Sequence, residues 1–400
     1  MKNILLTLLL AGLTMVGPLA IDTYLPSFPA IAETFNASPM AIQQTLSLFL
    51  FTFAFMMLFY GTLSDSFGRR PVILWSLVLY VLASLGGALA GSFGFLLGAR
   101  ILQGLASGAG SVIGRAIVQD RFEGMEAQKI LGNIMMVFGL APAIAPVLGG
   151  WLQVSFGWRS IFWFLTTFGI LMWIAVWRCL PESLPQEKRH PLHLGAIARN
   201  YWMVLKHRQF LLLSVSLGAA FGGFALYIGS AAYFIMHILK LPETAFAWLF
   251  IPLISGHVLG ATMSGRLAHR MAPAKLIRLS YGLMAIAAAL NVGYNWLFAA
   301  TVPWAVLPLF LFSFSLALAM PPLTLAGMNL FPQHSGLAAS MQSFLQMMLF
   351  ALVSGLVAPL LFDSALHLAL GLVACLVVSY ATYLGATRGQ HQGQGAGVTS

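Results

Sequence analysis

Charge is what this chain has least of. Of its 400 residues only 8% are Asp, Glu, Lys or Arg, while 60% are hydrophobic. A soluble domain carries about a quarter of its residues charged to cover its surface, so most of this surface must face lipid. Long polar stretches are missing too, and no soluble domain of appreciable size fits between the apolar runs. Cysteine is scarce: Cys179 and Cys375 lie within or at the edge of apolar segments, where free Cys is usually a small buried residue. His-Glu-x-x-His is absent, as is any group of carboxylates or histidines within one apolar segment that could hold a metal. These absences argue against an intramembrane enzyme. Nothing beyond the apolar segments offers a signalling domain, which argues against a receptor.

What is present is a succession of apolar runs long enough to cross a bilayer, about 20 residues each. Bounded by charge, Gly/Pro or polar clusters, they predict twelve spans, at 4–31, 42–63, 72–91, 95–117, 128–152, 159–179, 209–235, 245–267, 275–295, 302–329, 336–360 and 365–386. The first run mimics a signal peptide, but it continues to Ile31, beyond a signal core of about 7–15 residues, and reads as a retained helix. The net charge of +10 is not a nucleic-acid signature. With the N-terminus cytoplasmic, every Lys and Arg except Arg100, Arg159 and Lys240 falls in or beside cytoplasmic loops and tails. That is the positive-inside bias.

The one long break, 180–208, carries Lys188, Arg189, Arg199, Lys206 and Arg208 and divides six spans from six. The expected organisation is a six-helix bundle over 1–179, a cytoplasmic linker over 180–208, a second bundle over 209–387, and a Gly/Gln-rich disordered tail over 388–400. A weak repeat relates the halves at an offset of 204 residues: Gly61, Leu63, Ile73, Ser76 and Leu79 meet Gly265, Leu267, Ile277, Ser280 and Leu283. Duplication of a six-helix unit is one route to a transporter with its site between halves.

Between spans 2 and 3 runs Gly61-Thr-Leu-Ser-Asp65-Ser-Phe-Gly68-Arg69-Arg70-Pro71. Gly61 and Gly68 permit close approach and a tight turn, Asp65 can accept from Arg69 or Arg70 or from a helix N-terminus, and Pro71 suits the first turn of span 3. That run resembles the signature of the major facilitator superfamily. Asp22-Thr-Tyr24-Leu-Pro26-Ser-Phe-Pro29-Ala-Ile31 at the end of span 1 looks like the twelve-span drug:proton antiporters of the Bcr/CflA type. Arg100-Ile-Leu-Gln103-Gly104 in span 4 is similar to their second motif. In span 5, Gly132, Pro146, Gly149 and Gly150 occupy the spacing of the antiporter motif, with Ala141 and Ala145 where that pattern usually has Gly. The resemblance covers the whole N-terminal half. The C-terminal half matches mainly in hydropathy, and its copy of the loop motif has His269 in place of Asp65.

Asp22 is the one acidic residue well inside a span. An ionised carboxylate in hydrocarbon costs at least a few kcal/mol, so such groups usually face a cavity and serve function. Thr7, Thr14, Pro18 and Asp22 fall within about 80° on a helical wheel, a polar stripe that points to the protein interior. Burial and a nearby cation act on a carboxyl in opposite directions, so it can load and release a proton as its surroundings alternate; a fixed structural ion pair is the other reading. Arg100 is the matching cation, on a face shared with Gln103, Ser107 and Ser111. Its alternative role is packing against backbone carbonyls. Pro142, Pro146, Gly149 and Gly150 should bend span 5 and allow tight packing. Tyr24, Gln103, Ser107, Tyr227, Asn329, Gln342 and Gln346 are candidates for a substrate cavity, and His257 for a second proton site.

The resemblance implies an all-α integral membrane protein, twelve helices in two six-helix halves, that rocks between inward- and outward-open states. The loop motif would latch the halves on the cytoplasmic side. It implies proton-coupled export of small organic compounds, including bicyclomycin- or chloramphenicol-like antibiotics, across a bacterial inner membrane, with both termini cytoplasmic. The alternative is transport of one metabolite such as a nucleobase or nucleoside. Protons would be the coupling ion, with no other cofactor and no metal. The partners would be a small-molecule substrate and the bilayer, not nucleic acid, and the chain would act as a monomer.

Overall fold

The computed structural model describes residues 2–189, 194–268, 270–332 and 335–395, and the regular structure among them is entirely helical. Twelve helices among the described residues are long and apolar enough to cross a membrane: Ile4–Phe35, Pro39–Phe67, Arg69–Ala88, Phe93–Arg121, Met125–Phe156, Arg159–Cys179, Arg208–Gly229, Ala247–Leu267, Pro273–Leu297, Leu307–Met328, Gly336–Leu361 and Ala365–Thr387. They are spans 1 to 12 below. His269 lies outside the described residues.

Several spans outrun their apolar windows because helices stop at caps rather than where hydrophobicity fades. Span 2 starts three residues earlier than hydropathy suggests, because the Ser38 hydroxyl accepts from the Ala41 N–H and Pro39 opens the helix. It runs on to Gly68, whose φ of 100° ends it. Ser92 caps span 4 in the same way. The final helix continues to Gly395, through residues that composition reads as a disordered tail. Extending an existing helix needs no new nucleus. Residues 396–400 lie outside the described residues.

The chain divides into two compact units, Met1–Leu192 with Lys240–Phe250, and His193–Leu239 with Ile251–Ser400. The boundary falls within the 180–208 segment, which carries a helix of its own, Leu194–Lys206. The stretch Lys240–Phe250, which includes the first turn of span 8, groups with the first unit. Across the repeat, Ile73 and Ile277 are both buried, as are Ser76 and Ser280. Ser76 donates to the Ile73 carbonyl and Ser280 to that of Leu276. The most buried spans are 1, 4, 7 and 10, the first and fourth of each six.

Candidate functional site

Span 1 is helical only to Asp22; a 3-10 turn, Leu25–Ser27, and a second helix, Phe28–Phe35, complete it. Two prolines explain the break. Pro26 has no N–H to offer the Asp22 carbonyl and its ring clashes there, and Pro29 does the same to Leu25. The polar candidate of span 1 therefore sits at the last regular turn before an irregular one. Asp22 is 4% exposed, and its carboxylate has no hydrogen bond or ion pair among the described residues.

Arg100 is fully buried but does not pair with Asp22. Its Nη1 donates to the Ala20 carbonyl at 3.0 Å and to Gln103 Oε1, and the guanidinium lies 4.3 Å from the ring centroids of both Tyr24 and Phe49. The broken helix explains the first contact: past the break the last carbonyls of span 1 lose their helical partners, and a cation is favoured there. Desolvated cation–π contacts of this kind are worth about 2 kcal/mol each. Nε and Nη2 have no partner. Gln103 passes the network on, its Nε2 donating to Ser84 Oγ at 2.8 Å, and Ser107 donates to the Gln103 carbonyl. Tyr24 is bonded to Thr45 through its hydroxyl. Tyr24, Gln103 and Ser107, expected at a cavity, thus each engage a protein partner inside the first unit.

Glycines bring the spans together around this break. A Cβ on Gly149 of span 5 would lie 2.1 Å from the Thr23 carbonyl oxygen, and one on Gly110 of span 4 would lie 2.3 Å from that of Leu13. Gly104 abuts the Phe49 carbonyl, and Gly150 the Glu243 carbonyl. A Cβ on Gly132, in the same span-5 motif, would meet nothing within 4 Å among the described residues. Pro142 and Pro146 lie within the continuous helix Gly124–Phe156. Ala141 and Ala145 are fully buried, so a methyl group is accommodated at both positions. At the far end of span 5, Gln153 accepts from Ser27 at 3.0 Å. Burial raises the Glu243 carboxyl above the usual carboxylate range, and its hydrogen bond with Gln153 opposes that.

The loop motif closes onto its own bundle. Arg69 bonds Asp65 and, at 2.6 Å, Ser64 Oγ, while its Nε donates to Asp120 at 3.1 Å. Glu182, which sequence reasoning did not single out, accepts from the Arg69 N–H at 3.0 Å and the Arg70 N–H at 3.3 Å. A carboxylate at the N-terminus of span 3 satisfies orphan donors and suits the helix dipole. Arg189 pairs with the same carboxylate at 3.7 Å. The signal available was an acidic residue just past span 6, between Pro181 and Ser183, amid basic neighbours. Gly61 meets nothing within 4 Å.

In the second unit, Tyr227 accepts from Asn291 at 2.7 Å, and Asn295 donates to Asn291 Oδ1 at 2.9 Å. Asn291 was not anticipated. Gln342 is 2% exposed with neither amide atom partnered, and Gln346 is buried one turn on. Asn329 is not with them: it is exposed as the cap residue ending span 10. His257 is half-buried, with Nδ1 unpartnered. No group of three or more metal-ligating side chains occurs among the described residues.

Comparison with known proteins agrees with this architecture. A bicyclomycin resistance protein homolog of Haemophilus influenzae is 30% identical over 383 residues, 94% of each chain. Multidrug resistance protein D of Escherichia coli is 28% identical over 395 residues, 98% of each. A chloramphenicol resistance protein of Pseudomonas aeruginosa is 31% identical over 288 residues, covering 71% of this chain and 67% of that one. Among solved structures, a bacterial homolog of the human lysosomal transporter Spinster superposes with a TM-score of 0.70 at 19% identity, covering 97% of this chain and 96% of that one. The human organic anion transporter MFSD10 superposes with a TM-score of 0.69 at 18% identity, covering 95% and 99%. These two speak to the fold alone. The profile described as Major Facilitator Superfamily matches residues 10–359. With its twelve spans and relatives of the Bcr/CflA type, the chain belongs to the Major Facilitator Superfamily and is a membrane transporter rather than an enzyme.

Proposed function

We propose that this transporter exports small organic compounds, antibiotics among them, in exchange for protons across a bacterial inner membrane. The observation that carries the coupling step is Asp22: a carboxylate in the buried part of span 1, at the helix break, with no partner to hold it ionised. Arg100 supports it at one remove by fixing the Ala20 carbonyl two residues away. Because no ion pair locks Asp22, the reading as a fixed structural pair with Arg100 loses its support. Protonation and substrate binding compete, so inward proton flow drives substrate outward. The names of the relatives in Haemophilus, Escherichia and Pseudomonas supply the substrate class. The distribution of Lys and Arg supports cytoplasmic termini.

The test is Asp22→Asn in proteoliposomes. The variant is expected to fold and bind substrate yet show no substrate-driven proton release from protein-containing vesicles. Coupling equal to wild type would overturn the role given to Asp22.

A further inference from the structure

The first unit contains a cleft of about 930 Å³ that the transport reading does not use. It lies where span 1 begins, span 3 begins, and spans 4 and 6 end, which is one end of the bundle. Three arginines line it, Arg70, Arg121 and Arg178, and no acidic residue does among the described residues. The carboxylates near Arg70 are already engaged, Asp120 by Arg69 and Ser183, and Glu182 by the start of span 3 and Arg189. Arg121 and Arg178 have no ion-pair partner among the described residues. Arg70 donates from Nη2 to the Trp177 carbonyl at 2.6 Å, but its Nε is buried with no acceptor. The rest of the lining is largely apolar, with Leu6, Leu9, Phe122 and Trp177.

Neither a soluble anion nor a hydrocarbon chain alone suits this lining. The anion would leave the leucines against water, and the chain would leave three guanidinium groups without counter-charge. An amphiphile with an anionic head satisfies both. Leu5 and Trp177 are exposed, leaving an apolar path outward for acyl chains, and a Trp near a span end is at home at headgroup depth. Basic pockets between helices on the cytoplasmic side are known to accept such headgroups. We propose that this cleft binds an anionic phospholipid of the surrounding leaflet, its phosphate held by Arg70, Arg121 and Arg178. Occupancy would tie the start of span 3 to the ends of spans 4 and 6, beside the Asp65–Arg69–Glu182 cluster.

Native mass spectrometry of the full chain, equilibrated with equal phosphatidylglycerol and phosphatidylcholine, tests this. Wild type is expected to retain phosphatidylglycerol preferentially. Arg121→Gln with Arg178→Gln should lower that preference roughly tenfold to thirtyfold, and either change alone about fivefold. Arg121→Lys with Arg178→Lys, which keeps the charge, should retain most of it. The proposal is overturned if wild type shows no preference, or if the Gln variants keep it. It is also overturned if millimolar inorganic phosphate displaces the lipid as well as added phosphatidylglycerol does, because the cleft would then be a site for a soluble anion.

Discussion

Replacing Gly149 by Ala separates a glycine needed for helix approach from one that merely occupies a motif position. The added Cβ would lie 2.1 Å from the Thr23 carbonyl oxygen and 2.7 Å from its carbon. A carbon and a carbonyl oxygen in ordinary contact are about 3.3–3.6 Å apart, so span 5 and the span-1 break must separate by about 1.2 Å. Both obstacles are backbone, so no side chain can rotate to relieve the clash. Overpacking of this kind costs about 1–3 kcal/mol, against a gain of about 1 kcal/mol in helix propensity, and a backbone clash belongs at the upper end of the cost. Gly132→Ala, with nothing within 4 Å among the described residues, keeps the propensity gain alone. Thermal unfolding of the purified proteins should therefore rank Gly132→Ala at or above wild type and Gly149→Ala several degrees below it. Transport by Gly149→Ala should fall further than its stability does, because Thr23 adjoins Asp22. If Gly149→Ala melts with Gly132→Ala, close approach is not what Gly149 provides and the reasoning fails.

Two further substitutions probe the charge clusters. Gly68→Ala places a side chain at φ 100° and ψ 152°, a region open essentially to Gly alone at a cost of about 1–3 kcal/mol, and drives a Cβ to 2.6 Å from the Glu182 carboxylate. The yield of folded protein should drop, whereas Gly61→Ala, in open space, should express as wild type; equal yields would count against the turn as the reason for Gly68. Arg100→Lys keeps the charge but loses the planar guanidinium whose Nη1 bonds Ala20 and Gln103 while its plane lies against two rings. A loss of about 2–3 kcal/mol is expected from those contacts, and an unchanged melting temperature would show that charge alone is what the site requires.

The spans were legible because an apolar run of membrane length has few other uses, and the loop motif because its Gly, Asp and Arg spacing resembles a family signature. Partners were harder to see. Asp22 and Arg100 invited pairing by charge, yet Arg100 binds the Ala20 carbonyl, and a backbone acceptor leaves no mark in the sequence. Glu182 meets a span start more than a hundred positions earlier, a distance no local pattern bridges. Gly132 and Gly149 look alike in the motif and differ only in what faces them. Asn329 carries the same amide as the buried candidates but ends span 10, and only the position of the helix end distinguishes it.

The contrast between halves bears on where coupling can reside. Carried through the repeat at an offset of 204 residues, Asp22 falls on Leu226 and Arg100 on Trp304. Leu226 is fully buried and Trp304 exposed, so the second unit has neither charge at the corresponding places. Two sets of its polar groups instead bond one another: Asn295, Asn291 and Tyr227 in one, and Ser216, Tyr281 and Ser379 in another. A neutral network of this kind fixes side chains without changing charge when the cavity alternates its access. On the proposed mechanism, proton loading then perturbs one unit alone, at the break in span 1. On the same proposal, a substitution at Gln342 in the second unit is expected to change substrate range while leaving the coupling carboxylate untouched, an outcome that a symmetric pair of charged sites would not allow.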